Sequence, residues 1–549
     1  MGEEHIFVTN LRVHGGKGRE SVGPRTFVAA ALTAFGLLLA GCATLPPGMD
    51  APKSTSTALA NPETTALGKS ADALAKEHPG LSGFDLVVDG AASFAWHQEI
   101  AARAQRTLDV QYFLFRQDDT GKLLLESLLE AADRGVRVRL LLDDAEAFDK
   151  GSMIRPLAAH PNIEIRIFNP FVVRGELSVF RWAEFVVGSR RLNYRMHNKL
   201  FIGDNAIALT GGRNVGDSYF QASSVINLGD FDLAVAGPMV GALSQSFDVY
   251  WNDRFAIPVD ALPLGKPSAA DLEACRKALM AHKEQMTASS YMDSVAQRNR
   301  FAEFLSGKRP LVWAKATLAY DPPDKAQVER DGEPGRLMWK RVVTAVEGAQ
   351  RELIIVSPYL VPGETEMALI SRLRDRGVRV RILTNSLAST DMPIAHAGYI
   401  RYRVPLLETG CDLYEVRSVP GEPEAHGLVR SGGSGQFGLH AKVFVIDRQR
   451  VFVGSMNFDQ RSLAINTEIG LIIDSPQIAD EIAGRFEAIT QPANSYRLAL
   501  EPAAAAGPAV EWRTMEGGKT VKFSSEPDVD AGKLALIDLL SLLPLDRLL

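Results

Sequence analysis

The sequence predicts an α/β fold that is built twice, with one active site at the interface of two similar halves. The first observation behind this prediction is a stretch that occurs twice and reads His-x-Lys-x4-Asp, then six residues, Gly-Gly or Gly-Ser, one further residue and Asn. His197 and His440 differ by 440 − 197 = 243 positions, and Asn214 and Asn457 differ by the same 457 − 214 = 243. Two copies in one internal register indicate that a half-site was duplicated.

The second observation is that the repeat extends beyond this stretch. Residues 133–139 read Asp-Arg-Gly-Val-Arg-Val-Arg, and residues 375–381 repeat them without a change. Each copy follows an amphipathic helical pattern, at 123–132 and at 367–373, and its Gly suits a helix C-cap before the next strand. Alternating strands and helices in this order predict a parallel or mixed sheet flanked by helices in each half.

The chain divides into six parts in order. They are a lipoprotein signal peptide (1–41), a flexible tether (42–79), the first half (80–260), a connecting helical segment (261–335), the second half (336–500), and a C-terminal hairpin with an apolar tail (501–549). The tether is rich in Pro, Ser, Thr, Ala and Gly, which is typical of a linker.

The N-terminal segment has the features of a secretion signal. Arg19 and Arg25 precede an apolar run at 26–39, which is too short to span a bilayer at about 1.5 Å per residue but fits a signal-peptide core. The run ends in Leu-Ala-Gly-Cys42, which resembles the bacterial lipobox, where the Cys is lipidated. The resemblance implies a lipid-anchored protein on the periplasmic face of the cell envelope, and the absence of Asp after Cys42 favours the outer membrane. The alternative is an uncleaved anchor with an incidental Cys.

The C-terminal part contains two recognisable elements. Residues 512–523 predict a hairpin that turns at Gly517-Gly518, and residues 534–549 form an apolar tail. About 16 residues are too few to span a bilayer, so the tail either packs on the body, which we favour, or lies on a membrane surface.

Composition excludes some classes of partner. The formal net charge of −6 gives no general attraction to polyanions, which disfavours a nucleic-acid binder. Cys275 and Cys411 are distant and neither has metal-ligand spacing, so we expect both to be structural.

The residue types of the doubled stretch suit phosphate chemistry. On a strand, residues i and i+2 face the same way, so Lys199 points with His197 and Lys442 points with His440. Two half-sites that face each other place two imidazoles on opposite sides of one phosphorus, with ammonium groups around its oxygens. That arrangement suits an in-line displacement, which needs a nucleophile, an acid opposite it and fixed positive charge.

The rest of the stretch supplies amide donors and backbone space. We expect Asn214 and Asn457 to bind the phosphate through their amides, and Gly212 and Ser455 to lie against the substrate.

The motif aspartates have a different position. Asp204 and Asp447 belong to the catalytic motif, but they lie seven positions after their His, an odd separation that turns them to the other strand face. We therefore expect them to shape the motif.

Each imidazole also needs an acceptor on its other ring nitrogen to fix its tautomer and direction. Asp232 and Glu468 follow their motifs at similar distances and are the candidates. A divalent metal is a poor fit, because Lys199 and Lys442 repel a cation. The sequence predicts an enzyme with no metal and no cofactor.

The paired motifs resemble the phospholipase D superfamily over about residues 80–500. The resemblance implies two phospholipase D-type α/β half-domains, with His197 as a phosphohistidine nucleophile and His440 as general acid and then base. It also implies that Lys199, Lys442, Asn214 and Asn457 bind the phosphate.

The flanking sequences are similar to those of bacterial cardiolipin synthases, although the lipobox departs from the N-termini of the best-studied members. The similar segments are Phe168-Asn-Pro-Phe171, Arg195-Met-His-Asn-Lys199, Gly211-Gly-Arg-Asn214, Asp217-Ser-Tyr-Phe220, Phe247-Asp-Val-Tyr-Trp251 and Asn385-Ser-Leu-Ala-Ser-Thr-Asp391.

The halves differ after the Asn, since only the second continues with an Arg461-Ser462 pair. This difference fits distinct roles for the two halves.

Aromatic and basic residues alternate from 171 to 195, which suits an anionic lipid at a membrane surface, although an ordinary half-buried hairpin is an equal alternative. The resemblance implies a phospholipid substrate, with phosphatidylglycerol and also phosphatidylethanolamine as candidates, a membrane surface as partner, and no nucleic acid. Three hypotheses remain: a phosphatidyltransferase of the cardiolipin synthase type, a hydrolase of phospholipid or nucleic acid, and a non-enzymatic lipid-binding lipoprotein. Two complete half-sites argue against the third. Whether the acceptor is an alcohol or water, and the oligomeric state, stay open.

Overall fold

The computed structural model describes residues 48–145, 151–172, 189–325, 337–421, 435–504 and 507–541. The signal peptide with Cys42, most of the aromatic and basic stretch, and the last eight residues of the apolar tail lie outside the described residues. Among the described helices, none is long and apolar enough to cross a membrane.

The first half is a mixed sheet with the strand order β9-β4-β3-β2-β5-β6-β8-β1, in which β2, β3 and β4 run parallel and the other neighbours antiparallel. Its strands, with the separate β7, are β1 Ser82–Val87, β2 Thr107–Tyr112, β3 Arg137–Asp143, β4 Ile163–Phe168, β5 Leu200–Gly203, β6 Ile207–Gly211, β7 Ile226–Gly229, β8 Asp232–Ala236 and β9 Ala256–Pro258. Its helices are α1 Ala66–Ala75, α2 Gly90–Arg103, α3 Asp119–Asp133, α4 Ser189–Leu192 and α5 Pro238–Asn252.

The second half repeats this order as β20-β14-β13-β11-β16-β17-β19-β10. Its strands, with the separate β12, β15 and β18, are β10 Val312–Tyr320, β11 Glu352–Val356, β12 Leu360–Val361, β13 Arg379–Asn385, β14 Asp412–Val416, β15 Gln436–Leu439, β16 Val443–Ile446, β17 Arg450–Gly454, β18 Phe458–Asp459, β19 Ile469–Asp474 and β20 Ser495–Ala504. Its helices are α9 Leu337–Glu347, α10 Gly363–Asp375, α11 Pro393–Glu408 and α12 Pro476–Ile489. The predicted α/β fold with two mixed sheets is therefore confirmed.

The repeated Asp-Arg-Gly-Val-Arg-Val-Arg ends a helix and begins a strand in both halves, as predicted. Gly135 has φ +91° and Gly377 has φ +82°, a conformation that side chains rarely adopt, and each N–H donates to a carbonyl of the helix before it. The chain then enters β3 or β13, which carry buried aliphatic residues into the sheet.

Strands β1 and β10 join the two sheets. They occupy equivalent places and pair antiparallel with each other, with Gly83 opposite Trp313. The segment expected to connect the halves does contain helices, α6 Ala269–Thr287, α7 Ser290–Arg298 and α8 Phe301–Leu305, but β10 follows them and pairs with β19 of the second sheet. The second sheet therefore begins about 24 residues before the predicted boundary at residue 336, since 336 − 312 = 24.

One hydrophobic core fills the space between the halves. Helix α5 contributes Phe247 and Trp251, helix α12 contributes Phe486, and strands of both sheets close around them. Burial of large side chains from both halves fixes the halves against each other. This contact places the two copies of the doubled stretch at a common interface.

The C-terminal hairpin is present as predicted, with β21 Gly507–Glu516 paired to β20 and β22 Lys519–Phe523. The described part of the apolar tail forms α13 Ala531–Ser541. Ile537 is buried against α11, whereas Leu536 and Leu539 are exposed. The described part of the tail thus packs on the body through one face.

Candidate active site

Each histidine lies next to a short parallel pairing between a segment of the first half and a segment of the second half. In the first half, the His197 N–H donates to the Thr467 carbonyl across a bridge between Met196 and Thr467. In the second half, β15 pairs in parallel with β7, and the His440 N–H donates to the Gly229 carbonyl. Each histidine backbone is therefore fixed by the other half.

The residue that follows each of these carbonyls is an acid that holds the histidine side chain. The Glu468 carboxylate lies 2.8 Å from Nδ1 of His197, and the Asp230 carboxylate lies 2.6 Å from Nδ1 of His440. All four side chains are buried. With Nδ1 bound to a carboxylate oxygen, Nε2 of each ring is left for the reaction.

Glu468 is one of the two acids expected to orient a histidine, but the choice of Asp232 is wrong. Asp232 instead accepts hydrogen bonds from Arg213 Nε (2.8 Å) and Ser93 Oγ (2.7 Å). Its charge is neutralised by a buried guanidinium, and Asp230 in the connection before β8 takes the place beside His440.

A sequence signal for Asp230 exists in the strands that follow the motifs. Asp230-Phe-Asp-Leu233 and Glu468-Ile-Gly-Leu471 both place an acid three positions before a buried Leu. The strand register agrees, because Gly211 pairs with Asp232 and Gly454 pairs with Gly470. Alignment on these leucines makes Asp230 the equivalent of Glu468.

The motif lysines are buried beside their histidines. Lys199 Nζ donates to the His197 carbonyl at 2.6 Å, and Lys442 Nζ donates to the His440 carbonyl. The Lys199 ammonium also lies 5.6 Å from the centre of the Phe113 ring, a distance at which a cation–π contact is favourable. The two ammonium groups supply the positive charge that the sequence predicts for this site.

Burial and neighbouring cations lower the pKa of both imidazoles. The pKa of His197 lies well below its usual value, first because of burial and then because of the Lys199 and Lys442 charges. The pKa of His440 is lowered by burial and by the same two lysines. A neutral imidazole is the form that can attack phosphorus or accept a proton.

Burial also shifts the groups around the imidazoles. It raises the pKa of Glu468 to about 7, against the opposing effect of Lys199, and it raises the pKa of Asp230. It lowers the pKa of Lys442 to about 8, although Asp230 opposes this shift. An added phosphate would favour the charged lysines, because an opposite charge stabilises an ammonium group.

The two asparagines flank this centre. Asn214 Oδ1 accepts from the Leu114 N–H at 3.3 Å, which leaves its NH2 group as the donor. The buried Oδ1 of Asn457 has no protein hydrogen-bond partner among the described residues. Both side chains are therefore placed with polar groups left for a ligand.

Gly212 and Ser455 contact the orienting acids, and their expected contact with substrate stays a prediction. The Gly212 N–H donates to the Phe231 carbonyl, and a Cβ at this position would lie 2.3 Å from Asp230 Oδ1. Ser455 occupies the equivalent place, since 455 − 212 = 243. Its hydroxyl donates its single hydrogen to Glu468, which leaves none for a phosphate oxygen.

Asp204 and Asp447 lie at the hairpin turns that follow the motif strands. The Asp204 carboxylate accepts three backbone N–H groups, from Gln105, Arg106 and Thr107, at 2.8–2.9 Å. Asp447 accepts the three equivalent N–H groups of residues 350–352. These contacts tie each hairpin to the start of β2 or β11 and touch neither histidine.

Aromatic rings cover the histidines on one side. The edge of Phe113 contacts His197 with ring centres 4.9 Å apart, and Tyr219 contacts His440 at 5.1 Å. Neither residue was singled out by spacing, although Phe113 follows directly after strand β2. Such contacts exclude water from the rings.

A buried ion pair holds the backbone of Glu468, and the sequence motifs did not predict it. The Glu468 N–H donates to the Asp321 carboxylate at 3.2 Å, and the ammonium of Lys325 binds that carboxylate at 2.8 Å. Lys325 also donates to the carbonyls of Ser462 and Asn466, at 3.1 and 2.7 Å. Sequence alone gives no signal here, because both residues lie in a segment that was expected to be a connection.

The geometry can therefore perform one kind of chemistry well. Two imidazoles, each held at Nδ1 by an acid of the other half, lie close to two buried ammonium groups. This set can bind an anionic phosphodiester, attack it with one imidazole and transfer a proton with the other.

Comparison with known proteins agrees with this reading of the site. The family model described as "Cardiolipin synthase, PLD-like domain" matches twice, at residues 98–245 and 342–490. The two matches contain His197 and His440, respectively.

Two curated relatives cover most of the chain. Cardiolipin synthase C of Escherichia coli (strain K12) is 35% identical over 478 residues, which are 87% of this chain and 98% of that protein. An uncharacterised protein of Helicobacter pylori (strain ATCC 700392 / 26695) is 30% identical over 87% of this chain and 91% of its own length. Among solved structures, phosphatidylserine synthase of Haemophilus influenzae Rd KW20 aligns with 78% of this chain and 91% of its own, with 15% identity and a TM-score of 0.49. The chain therefore belongs to the phospholipase D superfamily, as a phosphatidyltransferase or phosphodiesterase enzyme with a doubled PLD-like domain of the cardiolipin synthase type.

Proposed function

We propose that this enzyme is a phosphatidyltransferase that makes a cardiolipin-type lipid through a phosphohistidine intermediate. The observation that carries the proposal is the crossed pair of histidines, each held at Nδ1 by an acid of the opposite half. The relative named cardiolipin synthase C supports the lipid assignment.

In the first step, Nε2 of His197 attacks the phosphorus of a phospholipid. The bond from phosphorus to the headgroup oxygen breaks, and His440, protonated for this step, gives that oxygen its proton. The neutral state of His197 suits attack, and the charges of Lys199 and Lys442 suit the phosphate oxygens. The product is a phosphatidyl group on His197 and a free alcohol.

In the second step, His440 acts as base. It takes the proton of an acceptor hydroxyl, whose oxygen attacks phosphorus while the bond to His197 breaks and its electron pair returns to Nε2. The proton balance is restored, because His440 ends protonated as it began. Phosphatidylglycerol is the proposed acceptor, and phosphatidylglycerol or phosphatidylethanolamine the proposed donor.

The test incubates the purified protein with vesicles of phosphatidylglycerol, with and without phosphatidylethanolamine, and identifies the products by mass spectrometry. Cardiolipin is the expected product. Phosphatidic acid alone would show a hydrolase, and no consumption of either lipid would remove the lipid assignment.

The roles of the histidines are tested by trapping the adduct. His440→Ala should still accumulate a phosphatidyl group on His197, whereas His197→Ala should form none. An adduct found on His440 instead would reverse the assignment.

We also propose that the protein is anchored by a lipid on Cys42, on the periplasmic face of a bacterial envelope. The support is the apolar run that ends in Leu-Ala-Gly-Cys42. Mass spectrometry of the mature N-terminus should find an acylated Cys42, and Cys42→Ala should release the protein from the membrane fraction. An unmodified Cys42 within an intact N-terminal segment would contradict this.

A further inference from the structure

A loop after strand β13 ends in the active-site cleft, and the chemistry above does not use it. The loop runs from Asn385 to Asp391. The Asn385 side chain forms two hydrogen bonds with the backbone of Leu439. Its Nδ2 donates to the Leu439 carbonyl and its Oδ1 accepts from the Leu439 N–H, both at 2.8 Å. Leu439 directly precedes His440, so the loop is fastened to the residue before this histidine.

The loop is also braced internally. Ser389 Oγ donates to Asn385 Oδ1 at 3.0 Å, and the Ser389 N–H donates to Ser386 Oγ at 3.3 Å. These side chains are buried. The end of the loop is therefore held in a fixed position relative to His440.

Asp391 stands at that end. Its Oδ1 accepts from the Tyr359 hydroxyl at 3.0 Å. Part of the residue reaches solvent, and surrounding protein raises the pKa of its carboxyl by burial, an effect that Tyr359, Lys442 and Arg116 oppose. The Lys442 ammonium is therefore near enough to act on the Asp391 carboxyl.

The neighbours of Asp391 place it on the His440 side of the centre. Tyr219, whose edge contacts His440, lies near enough to Tyr359 to affect its ionisation, and the Arg116 guanidinium lies 5.9 Å from the Tyr219 ring centre. His197 has different neighbours, Phe113 and Arg461. Asp391 therefore faces the place where the acceptor hydroxyl loses its proton in the second step.

We propose that Asp391, held by Tyr359, binds a second hydroxyl of a polyol acceptor while His440 deprotonates the neighbouring one. This subsite rests on the proposed function and identifies the acceptor class as a vicinal diol, such as a glycerol headgroup. Asp391 only accepts a hydrogen bond. The proton, the new oxygen–phosphorus bond and the broken bond to His197 are those of the second step above.

The chemistry favours a diol over water or a simple alcohol. A hydrogen bond to a carboxylate is stronger than one between neutral groups. A water molecule has one oxygen and cannot reach both His440 and Asp391 as a diol can. By orienting a diol acceptor, the subsite raises the rate of transfer relative to the rate of hydrolysis.

The test is a competition within one reaction. The purified full-length enzyme acts on phosphatidylglycerol in detergent micelles with equal, excess concentrations of 1,2-propanediol and 1-propanol, and mass spectrometry gives the ratio of the two phosphatidyl products. Because both products form in the same sample, the ratio does not depend on the fraction of folded enzyme. We expect the wild type to favour the diol by about tenfold, the fold-change that one charge-assisted hydrogen bond supplies.

Asp391→Leu should bring the product ratio close to one. Asp391→Asn, which conserves the side-chain volume, should lower it by a few-fold, and it serves as the test if the Leu variant does not fold. Asp474→Asn, at the outer end of β19, is the matched control and should keep the wild-type ratio.

Three results would overturn the subsite. These are a wild type without diol preference, an Asp391 variant that keeps it, and an Asp391 variant that cannot form the adduct on His197. A parallel competition of 2-aminoethanol with 1-propanol adds a fourth: if Asp391→Asn loses only a preference for the amine, the carboxylate binds an ammonium group. If the wild type makes only phosphatidic acid, or consumes no phospholipid, the proposed function itself fails.

Discussion

Glu468 of the second half lies 2.8 Å from Nδ1 of His197 of the first half, and no residue of the first half takes that place. Asp230 of the first half holds His440 of the second in the same way, at 2.6 Å. The crossing means that neither half can orient its own histidine. The two copies of the motif therefore form one site only when the halves pack together.

The first prediction concerns the two crossed acids. Glu468→Gln should slow formation of the adduct on His197 by up to about 100-fold, the size of effect seen when a partner that orients a histidine is removed. Asp230→Asn should slow both adduct formation and transfer to the acceptor by a similar factor, because His440 is the acid of the first step and the base of the second. Rapid quenching of single-turnover reactions measures the two steps separately.

Asp474→Asn is the control for both acids, because it removes a carboxylate from the exposed end of β19. An Asp230→Asn enzyme that transfers the phosphatidyl group to the acceptor at the wild-type rate would contradict the role of His440 as base in the second step.

The second prediction concerns alkaline pH. Burial lowers the pKa of Lys442 to about 8, so this ammonium loses its proton, and its charge, as pH rises through about 8. Since the charged form binds the phosphate, kcat/KM should fall above about pH 8, and the fall reports the free enzyme. Bound phosphate stabilises the ammonium group, so kcat should fall only at higher pH.

Lys442→Arg tests the source of this alkaline fall. Arginine stays charged at every accessible pH, so the fall in kcat/KM should disappear or move upward even if the absolute rate is lower. The same fall in the Arg variant would assign it to another group.

Much of this fold and site could be predicted from the sequence, because the duplicated segments show where equivalent elements lie in the two halves. The identical Asp-Arg-Gly-Val-Arg-Val-Arg predicts a helix end and a strand, and both copies form them. The residues that were missed belong to contacts between distant segments. Strand alternation predicts that Asp204 lies on the strand face opposite to His197. It cannot predict that the Glu468 side chain contacts His197, because these residues are 468 − 197 = 271 positions apart in the sequence.

The errors have different causes. Asp230 and Asp232 are two positions apart, and the choice of Asp232 overlooked the spacing to Leu233 and Leu471 that makes Asp230 the equivalent of Glu468; Asp232 instead binds the buried Arg213. Strand β10 lies in the segment expected to be a connection, and the two pairings that make it part of the sheets, with β1 and with β19, join distant segments.

The third prediction concerns the motif aspartates. Asp204→Ala should remove the acceptor of three N–H groups, of which that of Thr107 is buried, and lower the free energy of unfolding by about 1–3 kcal/mol, since an orphaned buried group costs about that much. The activity of the remaining folded enzyme should stay near the wild type. Asp447→Ala should destabilise less, because water can reach its partners. Thermal unfolding measures both, and loss of adduct chemistry at full stability would contradict the structural role.

The dependence of the free energy of unfolding on pH, measured at acidic pH, tests Asp447 separately. Backbone N–H groups hold the pKa of Asp447 below its usual value, against the effect of burial. A lowered carboxyl pKa contributes stability that is present above the unfolded pKa, near 3.8, and is lost as pH falls through the folded value. The wild type should therefore lose stability relative to Asp447→Asn when pH is lowered below about 4. A constant difference from pH 3 to pH 7 would contradict this.

The fourth prediction concerns the ion pair behind Glu468. Lys325→Met should strand the buried Asp321 carboxylate and lower the free energy of unfolding by about 3–5 kcal/mol. It should also slow adduct formation, because Lys325 positions the carbonyls of Ser462 and Asn466 beside the site. Asp321→Asn combined with Lys325→Met should be more stable than Lys325→Met alone, because no unpaired charge remains. Equal stability of the single and double variants would show that the charge of Asp321 is not the cause.

The fifth prediction tests the space that Gly212 leaves for Asp230. A methyl group at this position would lie 2.3 Å from Asp230 Oδ1, so Gly212→Ala must displace the carboxylate from His440. We expect both adduct formation and transfer from the His197 adduct to slow by about 10–100-fold, as for loss of the acid that orients His440. Gly241→Ala is the control, because nothing lies within 4 Å of its added carbon and a helical Ala should stabilise α5 by up to about 1 kcal/mol. A Gly212→Ala enzyme that turns over at the wild-type rate would show that His440 does not depend on the position of Asp230.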